Sequence, residues 1–209
     1  MELKKILSTL LFCSLFTTSN TFGVEQEKTL KPIEQITELV AENRLSKNQG
    51  FLLVKLNVNH DAASINFAKI KENRVRFLFD NDTLLLGQKY LLNLKNTDNE
   101  FYLLPLLAGG YQITRVNAPF YNLPYWRPTK ELASWRFNIE PGKINYVGEI
   151  NISAERGTDF MKVNLFNRFA TEQKEINGSL AGLIEQYPLV SGSGYRDDFF
   201  AEWGATDVK

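Results

Sequence analysis

On either side of Pro141-Gly142 the sequence alternates with period two. Trp135, Phe137 and Ile139 interleave with Arg136, Asn138 and Glu140 before it; Ile144, Tyr146, Ile150 and Ile152 interleave with Asn145, Glu149, Asn151 and Ser153 after it. Successive side chains of a strand point to opposite faces, so this pattern specifies two strands, each with one buried and one wet face. Pro presets φ for the second residue of a turn and Gly accepts positive φ at the third, so Pro141-Gly142 fits the centre of a type II turn. Such a turn splays its strands more than a primed hairpin turn does. Two outcomes are open: the strands pair as neighbours, or they pass to facing sheets.

The same period recurs along the chain. Leu52, Val54, Leu56 and Val58 share one face against Lys55, Asn57 and Asn59; Ser64 to Ile70 places Ile65 and Phe67 inward, and Arg74 to Phe79 does the same with Val75, Phe77 and Phe79. After a turn at Asp80-Asn81-Asp82, Leu84 to Leu86 and Tyr90 to Leu94 give one or two strands. Glu100 to Leu107 gives another, and Gly109-Gly110 separates it from Tyr111 to Val116. Near the end, Met161, Val163, Leu165 and Phe169 face one way against Lys162, Asn164 and Arg168. Helical spacing occurs at both flanks. Pro32 opens a short amphipathic helix over Ile33 to Asn43, and Ile176, Leu180, Leu183, Ile184 and Tyr187 define a second between Thr171 and Pro188. Gly178 and Gly182 weaken that second helix by about 1 kcal/mol each relative to Ala, so its packing face must compensate.

Seven or more short strands with no β-α-β alternation specify a mostly β fold, a two-sheet antiparallel sandwich with a short N-terminal and a C-terminal helix. A transmembrane barrel is disfavoured, because the strands are short and few and no aromatic girdles recur at their ends. The expected organisation is a signal peptide over 1–23, an extension with the short helix over 24–49, the sandwich over 50–170, and a helix with an aromatic tail over 171–209.

Lys4 and Lys5, the mainly apolar run Ile6 to Phe16 and the small polar stretch ending at Gly23 have the layout of a secretory signal peptide. The run is well short of the roughly 20 residues that span a bilayer, so no transmembrane span is expected in the mature chain. Export points to the periplasm. The single cysteine, Cys13, lies inside the run and is only a loose match to a lipoprotein acylation site, with Phe12 where a small residue belongs. Cleavage after Gly23 leaves no cysteine, so the core must hold the fold without disulfides. Charge is balanced at 24 basic and 24 acidic residues, which gives no reason to expect nucleic acid as a partner.

No complete catalytic or metal set is visible. His60 is the only histidine and reads as a turn residue at a strand end; with no mature cysteine, zinc has almost nothing to hold it. Asp80-Asn81-Asp82 fails as a calcium loop because Leu84 and Leu85 follow where further oxygen ligands and a glycine belong. Ser193 lacks the flanking glycines of a nucleophile elbow. The expectation is therefore no cofactor and no enzyme. The best candidate surface is the loop Asn117 to Pro128, in which Phe120, Tyr121, Tyr125, Trp126 and Arg127 could stack on a sugar ring or grip a peptide. Against this stands a packing role, in which the rings close the end of the sandwich. Tyr195, Phe199, Phe200 and Trp203 in the tail have the same two readings.

Ala108-Gly109-Gly110-Tyr111-Gln112-Ile113 together with Pro141-Gly142-Lys143-Ile144-Asn145-Tyr146-Val147-Gly148 resembles a group of uncharacterised bacterial cell-envelope proteins with a transthyretin-like or immunoglobulin-like sandwich. The resemblance covers roughly Phe51 to Ile152, with Glu149 standing where Asp is expected. It implies export and a sandwich and transfers no catalytic residue. The function expected is binding or scaffolding of an envelope protein or glycan. The alternatives are an enzyme acting on envelope polymers, with carboxylates assembled by the fold from Asp61, Asp80, Glu140 or Glu149, and a carbohydrate-stacking module built on the aromatic loop.

Overall fold

A computed structural model describes residues 27–30, 34–35, 45–60, 62–71, 84–94, 97, 100–119, 125–154 and 161–193. The elements are β1 (Lys28–Thr29), β2 (Glu34–Gln35), β3 (Gln49–Val58), β4 (Ser64–Ile70), β5 (Leu86–Asn93), β6 (Glu100–Leu107), β7 (Gly109–Asn117), β8 (Trp126–Pro128), β9 (Arg136–Ile139), β10 (Ile144–Ser153), β11 (Lys162–Phe166), α1 (Phe169–Ser179), α2 (Ala181–Ile184) and β12 (Leu189–Ser191). They form two facing sheets. The first runs β1-β5-β4-β7-β8, with β9 also paired to β7; the second runs β11-β10-β3-β6-β2, with β12 also paired to β10. Both are mixed. Most pairs are antiparallel, as the alternation implied, but β3 and β10 are parallel neighbours at the centre of the second sheet.

That parallel pair follows from the turn at Pro141-Gly142. β9 and β10 do not pair with each other; β9 joins β7 in the first sheet while β10 joins β3 in the second, so the chain crosses between layers here. Gly142 has φ +68°, the positive value that the third residue of a type II turn requires. The fully buried Asn145 side chain bonds to backbone groups on both sides of this crossing. Its Oδ1 accepts from the Glu140 N–H at 2.9 Å, and its Nδ2 donates to the carbonyls of Phe51, Lys143 and Glu140 at 3.1, 3.1 and 3.2 Å. The segment after α2 strengthens the same seam. The Gly192 N–H donates to the Tyr146 carbonyl in the second sheet, and the Gly192 carbonyl accepts from the Asn138 N–H in the first.

The main core lies between the sheets. Leu52, Val54 and Leu56 of β3, Tyr102, Leu104 and Leu106 of β6, and Ile150 and Ile152 of β10 face Ile65, Phe67, Tyr90, Leu92, Tyr111, Ile113 and Phe137. Phe67 stacks on Tyr90 at 5.1 Å and Tyr111 on Phe137 at 5.2 Å between ring centroids. A second core lies on the outer face of the second sheet, where Phe51, Leu53, Phe101, Leu103, Ile144 and Tyr146 pack under Ile176, Leu180 and Leu183 of the helical segment. Strands covered on both faces bury nearly every side chain, which is why β3 and β6 read as nearly continuous apolar runs.

Several expectations are corrected. Ile144, Tyr146, Ile150 and Ile152 do not share a face: the first two point to the helices and the last two to the inter-sheet core. The register of β10 slips between Tyr146 and Gly148, and Gly148 sits at φ +131° with Phe166 backbone so close that an added Cβ would lie 2.5 Å from its carbonyl oxygen. The bulge changes the phase of the alternation. Phe169 leaves the face of Val163 because it opens α1 and packs in the second core. The C-terminal helix is divided at Leu180, whose φ of −116° and ψ of 16° lie outside the helical region. Glu34 and Gln35, placed in an N-terminal helix by spacing, are extended and pair with Leu103 and Tyr102. The rest of Ile33 to Asn43, the signal segment with Cys13, the strand Arg74 to Phe79, the turn at Asp80-Asn81-Asp82 and the tail aromatics lie outside the described residues.

Asn145→Ala removes the bonds that one buried side chain makes to the Glu140 N–H and to the carbonyls of Phe51, Lys143 and Glu140, of which the Lys143 carbonyl still holds the Phe51 N–H. An unmade buried hydrogen bond costs about 1–3 kcal/mol, so urea unfolding should report a loss of about 3 kcal/mol. A loss under about 1 kcal/mol would mean that the seam is held by other contacts.

Candidate functional site

β8 exists because the segment after Pro124 returns along β7. Arg115 pairs with Pro128, Val116 with Arg127 and Asn117 with Trp126. The expectation of an unpaired loop up to Pro128 is therefore corrected for its last three residues. Proline is tolerated at an edge strand, since no inner ladder needs its missing N–H. Val116 points into the core, so its neighbours Arg115 and Asn117, and with them Pro128 and Trp126, lie on the outer face of the first sheet.

The chain then folds over that face through residues 129–135. Fully buried Gln112 fixes it: its Nε2 donates to the carbonyls of Thr129 and Leu132 at 3.0 and 3.2 Å, and its Oε1 accepts from Arg136 Nε at 3.0 Å. Thr129, also fully buried, donates from its hydroxyl to the Ile113 carbonyl at 2.7 Å. Between β8 and this segment lies an open groove of about 700 Å³, lined by Tyr125, Trp126, Arg127, Pro128, Leu132 and Met161 among others. Trp126 is 52% exposed and Leu132 43%. Of the five residues expected to form a binding surface, Tyr125, Trp126 and Arg127 thus come together at this groove, whereas Phe120 and Tyr121 lie outside the described residues. For Trp126 the packing alternative does not hold, since the ring is turned to solvent.

A second depression of about 410 Å³ adjoins it, with Lys130 lining both. Its floor is Asn66, only 6% exposed, whose Oδ1 accepts from Asn117 Nδ2 at 2.7 Å and whose Nδ2 donates to Glu27 Oε1 at 2.7 Å. Arg115 Nε approaches the same Oδ1 at 3.5 Å. The β4–β7 register slips beside Asn66, leaving Thr114 unpaired as an extra residue, so both Thr114 and Arg115 reach the depression. Sequence reasoning missed Asn66, Lys89, Arg115 and Lys130. For Arg115 and Asn66 the available signal was the polar phase of two strands whose other phase is the core.

Of the four carboxylates proposed for catalysis, the structure describes Glu140 and Glu149, each paired with its own cation. Glu140 pairs with Lys143 at 2.6 Å beside the turn, Glu149 is buried against Arg168 at 3.3 Å, and Asp61 and Asp80 lie outside the described residues. What does gather is a cluster under α1. Glu172 accepts a short hydrogen bond from the Tyr146 hydroxyl and an ion pair from Lys55 at 3.3 Å, with Lys55 also 5.0 Å above the Phe101 ring. Each buried carboxylate has a cation, so the cluster fastens the helix to the sheet. His60 is a turn residue, its Nδ1 accepting from the Ala62 N–H at 3.2 Å. Among the described residues no group of three His, Cys, Asp or Glu could hold a metal ion, and no helix is long and apolar enough to cross a membrane.

Compared with family models, curated proteins and solved structures, the chain matches none. The groove must be judged on its own residues.

Burial raises the phenol of Tyr146 far above its ordinary value, helped by its bond to Glu172 and that group's charge; burial also raises Tyr111 and Tyr90, which share a hydrogen bond. A folded pKa above the unfolded value of 10.0 stabilises the fold below that pH, and the contribution is lost as pH rises through the folded values. Stability should therefore fall steadily above about pH 10, and these three of the chain's eight tyrosines should ionise only on unfolding. Absorbance titration at alkaline pH checks this; eight phenols titrating together in the folded protein would refute it.

Proposed function

We propose that this chain is an exported, non-catalytic β-sandwich that binds a component of the bacterial envelope through the groove at Trp126. The observation that carries the reading is that two exposed large apolar side chains, Trp126 and Leu132, line the same open groove. Large apolar side chains left exposed around a concavity mark contact sites, because covering them releases water from apolar surface. Aromatic residues concentrate binding energy for the same reason. Two features favour binding over turnover. The groove's rigid walls are an edge strand and a segment pinned by Gln112, and among the described residues its one lining carboxylate, Glu131, is an exposed residue 3.9 Å from Lys130.

Export rests on the first 23 residues. Mass spectrometry of the protein recovered from the periplasmic fraction should give a chain beginning at Val24; an intact N-terminus in the cytoplasmic fraction would remove the envelope from the proposal. The groove is tested by crosslinking in cells followed by capture, comparing the native chain with a Tyr125→Ala, Trp126→Ala variant of unchanged thermal stability. The expected outcome is one specific crosslinked product, reduced at least about tenfold in the variant, the loss that about 1.4 kcal/mol of contact energy produces. Identical products from both chains would place binding elsewhere.

A further inference from the structure

The two depressions share Lys130: the smaller lies on the outer face of the first sheet, and the larger extends from it around the β8 edge to Arg127 and Met161. The whole sequence is neutral, with 24 basic and 24 acidic residues, but among the described residues these depressions gather Lys89, Arg115, Arg127 and Lys130 against Glu27 and Glu131. A local excess of cations beside apolar walls raises the concentration of anionic partners there.

The layout is also ordered. Strand register places Trp126 next to Asn117 and then Ser64 in one row, and Pro128 next to Arg115 and then Asn66 in the next. Neighbouring strands are about 4.8 Å apart, so an aromatic platform, two amides, a hydroxyl and a guanidinium lie within a few strand spacings on a single flat face. The amides are held in place: Asn117 Nδ2 reaches Ser64 Oγ at 3.0 Å and Asn66 Oδ1 at 2.7 Å. Pre-set donors and acceptors lose little entropy on binding.

Resting on the reading of the groove as a binding site, we infer that its occupant is a linear acidic glycan, a chain of sugar rings bearing carboxylates. The apolar C–H face of a sugar ring covers the Trp126 indole, its hydroxyls meet half-buried Asn117 and Ser64, and its carboxylate meets Arg115 and Lys130. Arg115 offers a planar fork that matches a carboxylate, and Lys130 a mobile point charge. A neutral glycan uses only the first two of these. A hydrophobic peptide uses only the platform and makes no use of the cations.

Calorimetric titration with oligogalacturonate and with the same oligomer after reduction of its carboxyl groups tests this. The native chain should bind the acidic oligomer at least tenfold more tightly than the reduced one, and the difference should shrink as salt is raised. In an Arg115→Gln, Lys130→Gln variant the two affinities should become equal, and Trp126→Ala should weaken both. All three side chains are exposed, so each variant should keep the native melting temperature. Equal affinity of the native chain for both oligomers overturns the acidic preference while leaving a glycan site. Failure to bind either overturns the glycan occupant altogether; the groove itself then stands or falls by the crosslinked product that Tyr125→Ala, Trp126→Ala removes.

Discussion

The carboxamide of Asn145 is the point on which the two sheets depend. A chain that leaves one sheet at Ile139 and enters the other at Ile144 must place several peptide groups where no ladder continues, and a buried peptide group without a partner costs about as much as several buried methyl groups stabilise. One amide side chain offers both a donor and an acceptor at the same spot. Asn145 satisfies Glu140 on the first sheet's side and Phe51 on the second's, and so ties the turn to β3 as well as to itself. The C-terminal strap through Gly192 repeats the connection a few residues away. The parallel β3–β10 pair is a consequence, because a chain arriving from the facing sheet is not bound to the antiparallel return of a hairpin.

The two outer faces then have opposite fates. On the second sheet α1 and α2 cover Phe51, Leu53, Ile144 and Tyr146, and the charges trapped beneath them are paired: Lys55 with Glu172, Arg168 with Glu149. On the first sheet, among the described residues, only 129–135 fold over the surface, held by the buried amide of Gln112. The remainder of that face, among the described residues, keeps polar and cationic side chains in register beside an exposed indole. A rigid sheet beneath and a pinned segment alongside give this surface a fixed shape.

Much of this was legible in the residues. The strand Ser64–Ile70 lies where the alternation placed it, Glu100–Leu107 lies where an apolar run stood, and Ile176, Leu180 and Leu183 form the helical face that the spacing defined. Trp126 and Arg127 stood out as candidates because aromatic and cationic side chains between prolines have no strand or helix pattern to account for them. Arg115 and Asn66 were not, since a polar residue on the wet phase of a strand looks the same whether it faces bulk solvent or a neighbouring platform. The strand character of β8 was hidden by Pro128, which is excluded from inner strands but not from an edge.

The sequence by itself determined the local geometry: period two for the strands, positive φ at Gly142 for the turn, and an apolar face for the C-terminal helices. These depend on steric and solvation preferences acting within a few residues. Only the tertiary structure decided that the turn joins facing sheets, that the bulge at Gly148 sends Tyr146 to the helices and Ile150 to the core, and that Trp126 lies in register with Asn117 and Arg115. Each of these is a choice among pairings of similar local quality. It is settled by which arrangement buries both apolar faces and leaves no peptide group unpaired, a condition that involves residues distant in the chain.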